Sequence, residues 1–215
     1  MLFVAAPIDD YFDRKEWRML WIQYLENLYI LLQSLSISSS DGELESEEAI
    51  IAWVKKTLSV RKNRGTVFLI GNGASASMAS HVAADLAKNA HVRTEVFSDL
   101  SLITAIANDL SYEEIFAEPL RRRMTDGDML VAISSSGQSA NVLRAVRESK
   151  NLGGFVVTLS AMRLDNTLRG SGHLNFYVPA QTYGIAESCH AAILHYWIDR
   201  TVNIVNGSEE DNKRK

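Results

Sequence analysis

The sequence predicts an α/β protein: a three-layer α/β/α sandwich around a five-stranded parallel sheet, with helices appended at its N-terminus. Three observations carry this expectation. Five short runs read as strands, TVFLIG, RTEVF, DMLVAIS, GFVVTLS and HLNFYV. Most are continuously apolar, as strands buried on both faces of a parallel sheet must be. Helical stretches alternate with them, and two strands lead straight into loops rich in Gly and Ser. In doubly wound sheets, ligands bind beyond such carboxyl ends.

Taken in order, residues 11–35 place Trp17, Leu20, Trp21, Tyr24, Leu25, Leu28, Leu31 and Leu32 at helical spacing, predicting a long amphipathic helix. The polar stretch SISSSDGELESEE is expected to be a loop. It leads into a second helix whose apolar stripe is Ile50, Ile51, Trp53, Val54 and Leu58. After the basic turn RKNRG the strands begin, with helices expected over 75–89, 102–107, 112–123 and 139–151. A last helix is expected over 184–205, followed by a disordered tail, GSEEDNKRK. The organisation expected is therefore N-terminal helices over 1–62, the main domain over 63–206 and the tail over 207–215.

Composition removes several function classes. The 215 residues hold 22 Lys and Arg against 26 Asp and Glu, a formal charge of -4, so neither nucleic acid nor an anionic membrane is the expected partner. One cysteine, Cys189, makes no intramolecular disulfide and no Cys-rich zinc site, which fits a reducing, cytoplasmic compartment. The opening MLFVAAPIDD has no basic segment before its apolar run and is read as neither signal nor anchor. Cys189 itself reads as a small buried hydrophobe. His91 and His173, in polar company at strand approaches, read as surface residues.

The chemistry begins at the loops. After the first strand, Gly71 and Gly73 allow a tight turn, Ser75 and Ser77 offer hydroxyls, and a helix N-terminus follows. Two readings stand for this loop alone: an anion site, or an ordinary turn with Ser75 as N-cap. The second loop, Ser134, Ser135, Ser136, Gly137, Gln138 and Ser139, carries more hydroxyls than capping requires. Two such loops on one sheet, with few cations near, predict a small phosphorylated ligand held by neutral donors and helix termini. Neither a GxxxxGK[ST] loop nor a dinucleotide fingerprint is present. His81 and Asp85 lie four apart on the helix after the first loop, either as a base or metal pair or as a helix-surface contact. Glu187, His190 and His195 lie on the last helix among apolar residues, where buried ionisable groups need partners.

The segments GNGASASMASHVAADL, SDLSLITAIANDLSYEEIF and ISSSGQSANVLRAV, with the last helix, resemble the sugar isomerase (SIS) family and, within it, the bacterial phosphoheptose isomerases. The resemblance runs over roughly residues 65–199. It implies that Ser134, Ser135, Ser136 and Ser139 grip a sugar phosphate, with Asn72 and Ser75 on the first loop. Asn108 and Asp109 match the Asn-Asp pair that binds or orients the sugar; from local sequence alone they read equally as a helix-terminating turn. It also implies that His81, Asp85, Glu187 and His195 ligate a divalent metal, zinc in that family, or serve as acid and base.

The reaction implied is the aldose-ketose isomerisation of sedoheptulose 7-phosphate to D-glycero-D-manno-heptose 7-phosphate, which feeds heptose into envelope polysaccharide. Asp85 is assigned as the base and His195 as the acid, with His81 and Glu187 as ligands or orienting groups. Three positions depart from the family pattern: Asp85 replaces Glu, Glu187 replaces Gln, and Gly184 stands where an Asp assists catalysis. These departures favour a competing reading, a non-catalytic SIS protein that binds a phosphosugar or a protein partner, similar to the replication-initiation regulators. An isomerase of another phosphosugar is a third. The retained His81, His195 and two acidic side chains favour the enzyme. Eight residues of helix rise about 12 Å, so Glu187 and His195 of one chain are not expected on one ion. Sites shared between chains of a homo-oligomer follow, a homotetramer by resemblance, and the aromatic N-terminal helix is expected at its interface.

Overall fold

The structure, a computed structural model, describes residues 21–213. Trp17, Leu20 and the rest of the expected helix before Trp21 lie outside the described residues. Helix α1 (Trp21–Gln33) is followed by two short strands, β1 (Ser36–Ser39) and β2 (Gly42–Glu43), and by α2 (Ser46–Lys62). The main domain then runs β3 (Thr66–Gly71), α3 (Ala74–Ala90), β4 (Arg93–Val96), α4 (Leu100–Asp109), α5 (Ala117–Arg123), β5 (Met129–Ser134), α6 (Ala140–Asn151), β6 (Phe155–Ala161), β7 (Leu174–Val178) and α7 (Tyr183–Lys213).

The sheet has the strand order β2-β1-β7-β6-β5-β3-β4. Its five main strands, β4, β3, β5, β6 and β7, pair in parallel, as the alternation of strands and helices predicts. The expectation failed at the polar stretch after α1. Instead of a loop, Ser36–Ser39 pairs antiparallel with β7 and turns back through β2. A two-faced apolar signature is absent because this short antiparallel strand at the border of the sheet buries only one residue, Ile37. At the other end, helix α7 continues to Lys213, into the segment expected to be a disordered tail. Polar composition alone does not stop a helix already under way, because propagation costs little per residue once the first turn exists.

Alternating side chains of the strands feed two cores. Val67, Leu69, Met129, Val131, Ile133, Val157 and Leu159 pack against α2, α3 and α7, while Phe68, Ile70, Leu130, Ala132 and Val156 pack against α4, α5 and α6. Trp53 and Trp197 stack at 4.1 Å between α2 and α7, fully buried. The Trp197 indole donates to Thr57 Oγ1 at 3.0 Å, and Thr57 donates on to the Trp53 carbonyl. The last helix is thereby fixed against the sheet, with its first turn beside the carboxyl ends of β3 and β5. On α1, Tyr24, Leu28, Leu31 and Leu32 pack on the core, whereas Trp21, Ile22, Tyr29 and Ile30 are exposed. No helix among the described residues is long and apolar enough to cross a membrane.

Candidate functional site

At the carboxyl ends of β3 and β5 the two Gly/Ser loops face one cavity of about 210 Å³. Asn72, Ser75, Ser134, Ser135, Ser136 and Ser139 line it, together with Ile133 and, from α7, Tyr183 and Glu187. No Lys or Arg is among the lining residues. Helices α3, α6 and α7 begin at Ala74, Ala140 and Tyr183, so three helix N-termini, the positive ends of their dipoles, adjoin this lining.

The local geometry separates ligand binding from capping. Gly73, not Ser75, is the N-cap of α3, and it adopts φ 55°, which favours glycine. Ser75 is instead buried in the first turn, while Ser77 is exposed outside the lining. Ser139 is the N-cap of α6 but makes no side-chain capping bond; its hydroxyl lies 3.2 Å from Ser134 Oγ. Ser134 Oγ also lies 3.4 Å from Ser136 Oγ. Ser135 Oγ is buried with no hydrogen-bond partner. A buried hydroxyl left unpaired is costly, and a ligand oxygen in the cavity would satisfy it. Gly137 turns the second loop at φ 63°, where an added Cβ would lie 2.0 Å from Asn166 Oδ1.

Two further residues assemble this cradle. Asn141, 1% exposed in the first turn of α6, exchanges side-chain hydrogen bonds with Asn72 at 3.0 and 2.9 Å. The exposed Tyr112 donates to Asn72 Oδ1 at 3.3 Å. Sequence reasoning left out Asn141, Tyr112 and Tyr183. Asn141 did carry a signal, a polar amide on the apolar face of an amphipathic helix. The Asn108–Asp109 pair stays outside the cradle, exposed at the end of α4 with Asn108 Nδ2 donating to Asp109 Oδ1 at 2.8 Å.

A second group forms along the seam of α3 and α7. His81 Nε2 lies 3.3 Å from Asp85 Oδ2, and the His81 and His195 rings sit 5.3 Å apart. One ligand atom from each of His81, Asp85 and His195 lies within 4.8 Å of the others. Two imidazoles and a carboxylate are the donor set of many open divalent-metal sites, and the three residues fit such an ion. Glu187 is not in this group and lines the cradle instead. The other candidates resolve singly. His190 is fully buried, with Nε2 3.2 Å from the Ser160 carbonyl, and burial pushes its pKa down to about 4. Burial pushes the Cys189 thiol up, which keeps it protonated. His91 is exposed and closes α3 in a left-handed conformation. The expectation that His173 is a plain surface residue fails. Its Nδ1 accepts from the Val156 amide at 2.9 Å, its ring stacks on Phe155, and burial lowers its pKa. A β-strand N–H that faces no neighbouring strand needs such an acceptor.

Comparison with known proteins sets this geometry among relatives. Residues 33–161 match the SIS domain family. The phosphoheptose isomerase of Helicobacter pylori strain Shi470 is 36% identical over 167 residues, covering 74% of this chain and 86% of that protein. The phosphoheptose isomerase of Maridesulfovibrio salexigens is 32% identical over 158 residues, covering 70% of this chain and 77% of that protein. Among solved structures, the phosphoheptose isomerase of Neisseria gonorrhoeae superposes with a TM-score of 0.72 at 24% identity, covering 84% of this chain and 96% of that one. At that identity the last likeness bears on the fold alone.

Proposed function

The chain belongs to the SIS domain family, and from that membership we propose that it is a phosphosugar aldose-ketose isomerase acting on sedoheptulose 7-phosphate to give D-glycero-D-manno-heptose 7-phosphate. The cradle carries this reading: hydroxyls and helix termini without a single cation, and a buried Ser135 hydroxyl left for a ligand oxygen. Ser134, Ser135, Ser136, Ser139, Ser75 and Asn72 hold the phosphate ester. Glu187 meets the carbon chain, and Asn108 and Asp109 orient its far end.

Isomerisation moves one proton between adjacent carbons through an enediol and exchanges protons between the two oxygens. Asp85 removes the proton from C1 of the open-chain ketose and returns it to C2. Its Oδ2 faces His81, which leaves Oδ1 for that transfer. His195 protonates the oxygen on C2 and takes the proton from the oxygen on C1. A divalent ion, zinc by resemblance, would be held by His81, Asp85 and His195, where it would supply polarisation of a carbonyl oxygen. The exposed apolar face of α1, with Trp21, Ile22, Tyr29 and Ile30, supports assembly into a homotetramer in which neighbouring chains complete each site.

One observation favours a second reading, a phosphosugar-binding regulator without turnover. Gly184 offers no carboxylate at the start of α7, and nothing lies within 4 Å of where its Cβ would be. The deciding experiment incubates the purified chain with sedoheptulose 7-phosphate, with and without zinc, and follows the aldose product. Product that disappears in Asp85→Asn while ester binding persists supports the isomerase. Tight ester binding without product from any ketose phosphate supports the regulator.

A further inference from the structure

The basic turn RKNRG, which the proposed reaction leaves unused, opens onto a cavity of about 310 Å³ at the amino ends of β3, β4 and β5. It lies at the opposite end of the sheet from the cradle, separated from it by the six residues of β3, roughly 20 Å of strand. Arg64, Arg93 and Arg123 line it with Asp126 and Asp128, whereas the cradle has no cation. These charges divide into spent and unspent. Asp128 is buried and accepts from the Thr66 amide at 2.7 Å and from the Thr125 amide and hydroxyl at 2.7 and 3.0 Å. Arg123 pairs with Glu95 and lies over the Phe97 ring. Exposed Arg93 donates from one nitrogen to the Arg64 carbonyl at 3.0 Å. Among the described residues no carboxylate pairs with Arg64 or Arg93, and no cation pairs with Asp126.

Arg64 holds its place at a conformational cost. It follows the cap of α2 at φ 57°, with its amide donating to the Arg61 carbonyl at 3.1 Å and the Gly65 amide to the Val60 carbonyl at 2.9 Å. Such a two-bond turn favours glycine at its left-handed residue. Helix α6 ends in the same turn, through the Lys150 and Ser149 carbonyls, and there Gly153 takes that position at φ 80°. His91, at φ 52° after α3, departs from glycine as well but lies outside this lining. A side chain kept in a strained backbone conformation points to a use for that side chain, and at position 64 it stands on the cavity.

Two guanidinium groups without a carboxylate offer planar forks of N–H donors that match an oxyanion, whether phosphate or carboxylate. A bare anion would also meet Asp126, which repels charge and only accepts hydrogen bonds, so a favourable ligand must bring donor hydrogens too. No aromatic or aliphatic side chain lines the cavity, which suits a polyol better than a nucleobase. We propose that this cavity is a second ligand site, for a small hydroxylated oxyanion whose charged group is held by Arg64 and Arg93 and whose hydroxyls donate to Asp126. It stands apart from the cradle and does not depend on the reaction assigned there.

The test is calorimetric titration of the full-length chain with inorganic phosphate, ribose 5-phosphate and gluconate, carried out in a Ser134→Ala background that weakens the cradle. Saturable binding of ribose 5-phosphate or gluconate persists in that background. Adding Arg93→Ala weakens it about tenfold, the worth of one hydrogen bond to a charged group. Adding Arg64→Gly weakens it equally while raising the thermal unfolding midpoint by roughly 2–4 °C, because glycine relieves the turn. A residue that served the turn alone would raise the midpoint and leave binding unmoved. Adding Asp126→Ala removes the advantage of the hydroxylated probes over inorganic phosphate. Tighter binding of ribose 5-phosphate than of gluconate assigns the charged group as phosphate, and the reverse order assigns it as carboxylate. The second site is overturned if no probe binds saturably in the Ser134→Ala background, or if the binding seen there is unchanged by both Arg64→Gly and Arg93→Ala.

Discussion

The side-chain amides of Asn72 and Asn141 donate to one another's oxygens at 3.0 and 2.9 Å across 69 residues of sequence, latching the loop after β3 to the first turn of α6. Asn141 Oδ1 also accepts from the Val142 amide at 2.9 Å, so one buried amide holds both its own helix start and the neighbouring loop. Asn141→Ala leaves Asn72 without this partner and should cost about 2 kcal/mol of stability. Urea titration checks that loss. Calorimetry with a sugar phosphate should show severalfold weaker binding, because the two halves of the cradle are no longer held in register.

Ser134 sits at the centre of the hydroxyl cluster, within 3.4 Å of both Ser136 Oγ and Ser139 Oγ. Ser134→Ala should weaken phosphate-ester binding by roughly one to two orders of magnitude, the range for a hydrogen bond to a charged group. Thermal unfolding without ligand should change little, since only an exchange among hydroxyls is lost.

The seam group makes a prediction about metal. Zinc titration should give one tight site per chain, and removal of one ligand in His195→Ala should cost about 3 kcal/mol, roughly two orders of magnitude in affinity. Cys189→Ser, a buried residue outside the group, is the control and should leave zinc affinity unchanged. Equal zinc binding by His195→Ala would remove the seam from consideration as a metal centre.

His190 sets a pH dependence of stability. Burial depresses its folded pKa from 6.5 to about 4, so the unfolded chain binds the proton more readily in between. Stability conferred by the neutral ring is therefore present at neutral pH and is lost as pH falls from about 6.5 toward 4. From pH 7 to pH 5 the loss should be about 2 kcal/mol. His190→Gln should flatten that slope, which denaturant titrations at the two pH values would reveal.

The parallel sheet was legible because buried strands must be apolar on both faces, and TVFLIG, DMLVAIS and GFVVTLS meet that demand without ambiguity. Short antiparallel strands near the border of a sheet face no such demand. Ser36–Ser39 buries one side chain and hides behind a turn-like composition. The serines of the second loop were legible for a chemical reason, since hydroxyls exceed what one helix start can use. Tyr183 was not, because an isolated aromatic before an apolar helix looks the same whether it packs or lines a cavity. The separation of Glu187 from His81, Asp85 and His195 follows from helix rise, which the spacing of residues already contained. The partnership of Asn72 with Asn141 depends on which strands become neighbours, and a local pattern does not carry that.

The ribbon formed by β1 and β2 has a bearing on solubility. Ser36–Ser39 occupies the outer backbone groups of β7 along Leu174–Tyr177, a stretch rich in aromatic and branched side chains. At the opposite border, β4 is four residues long and carries Arg93 and Glu95, which discourage another chain from adding there. A chain shortened to begin at Ser46 would bare the β7 border. It should self-associate through that strand and precipitate on concentration, even with its cradle sequence intact.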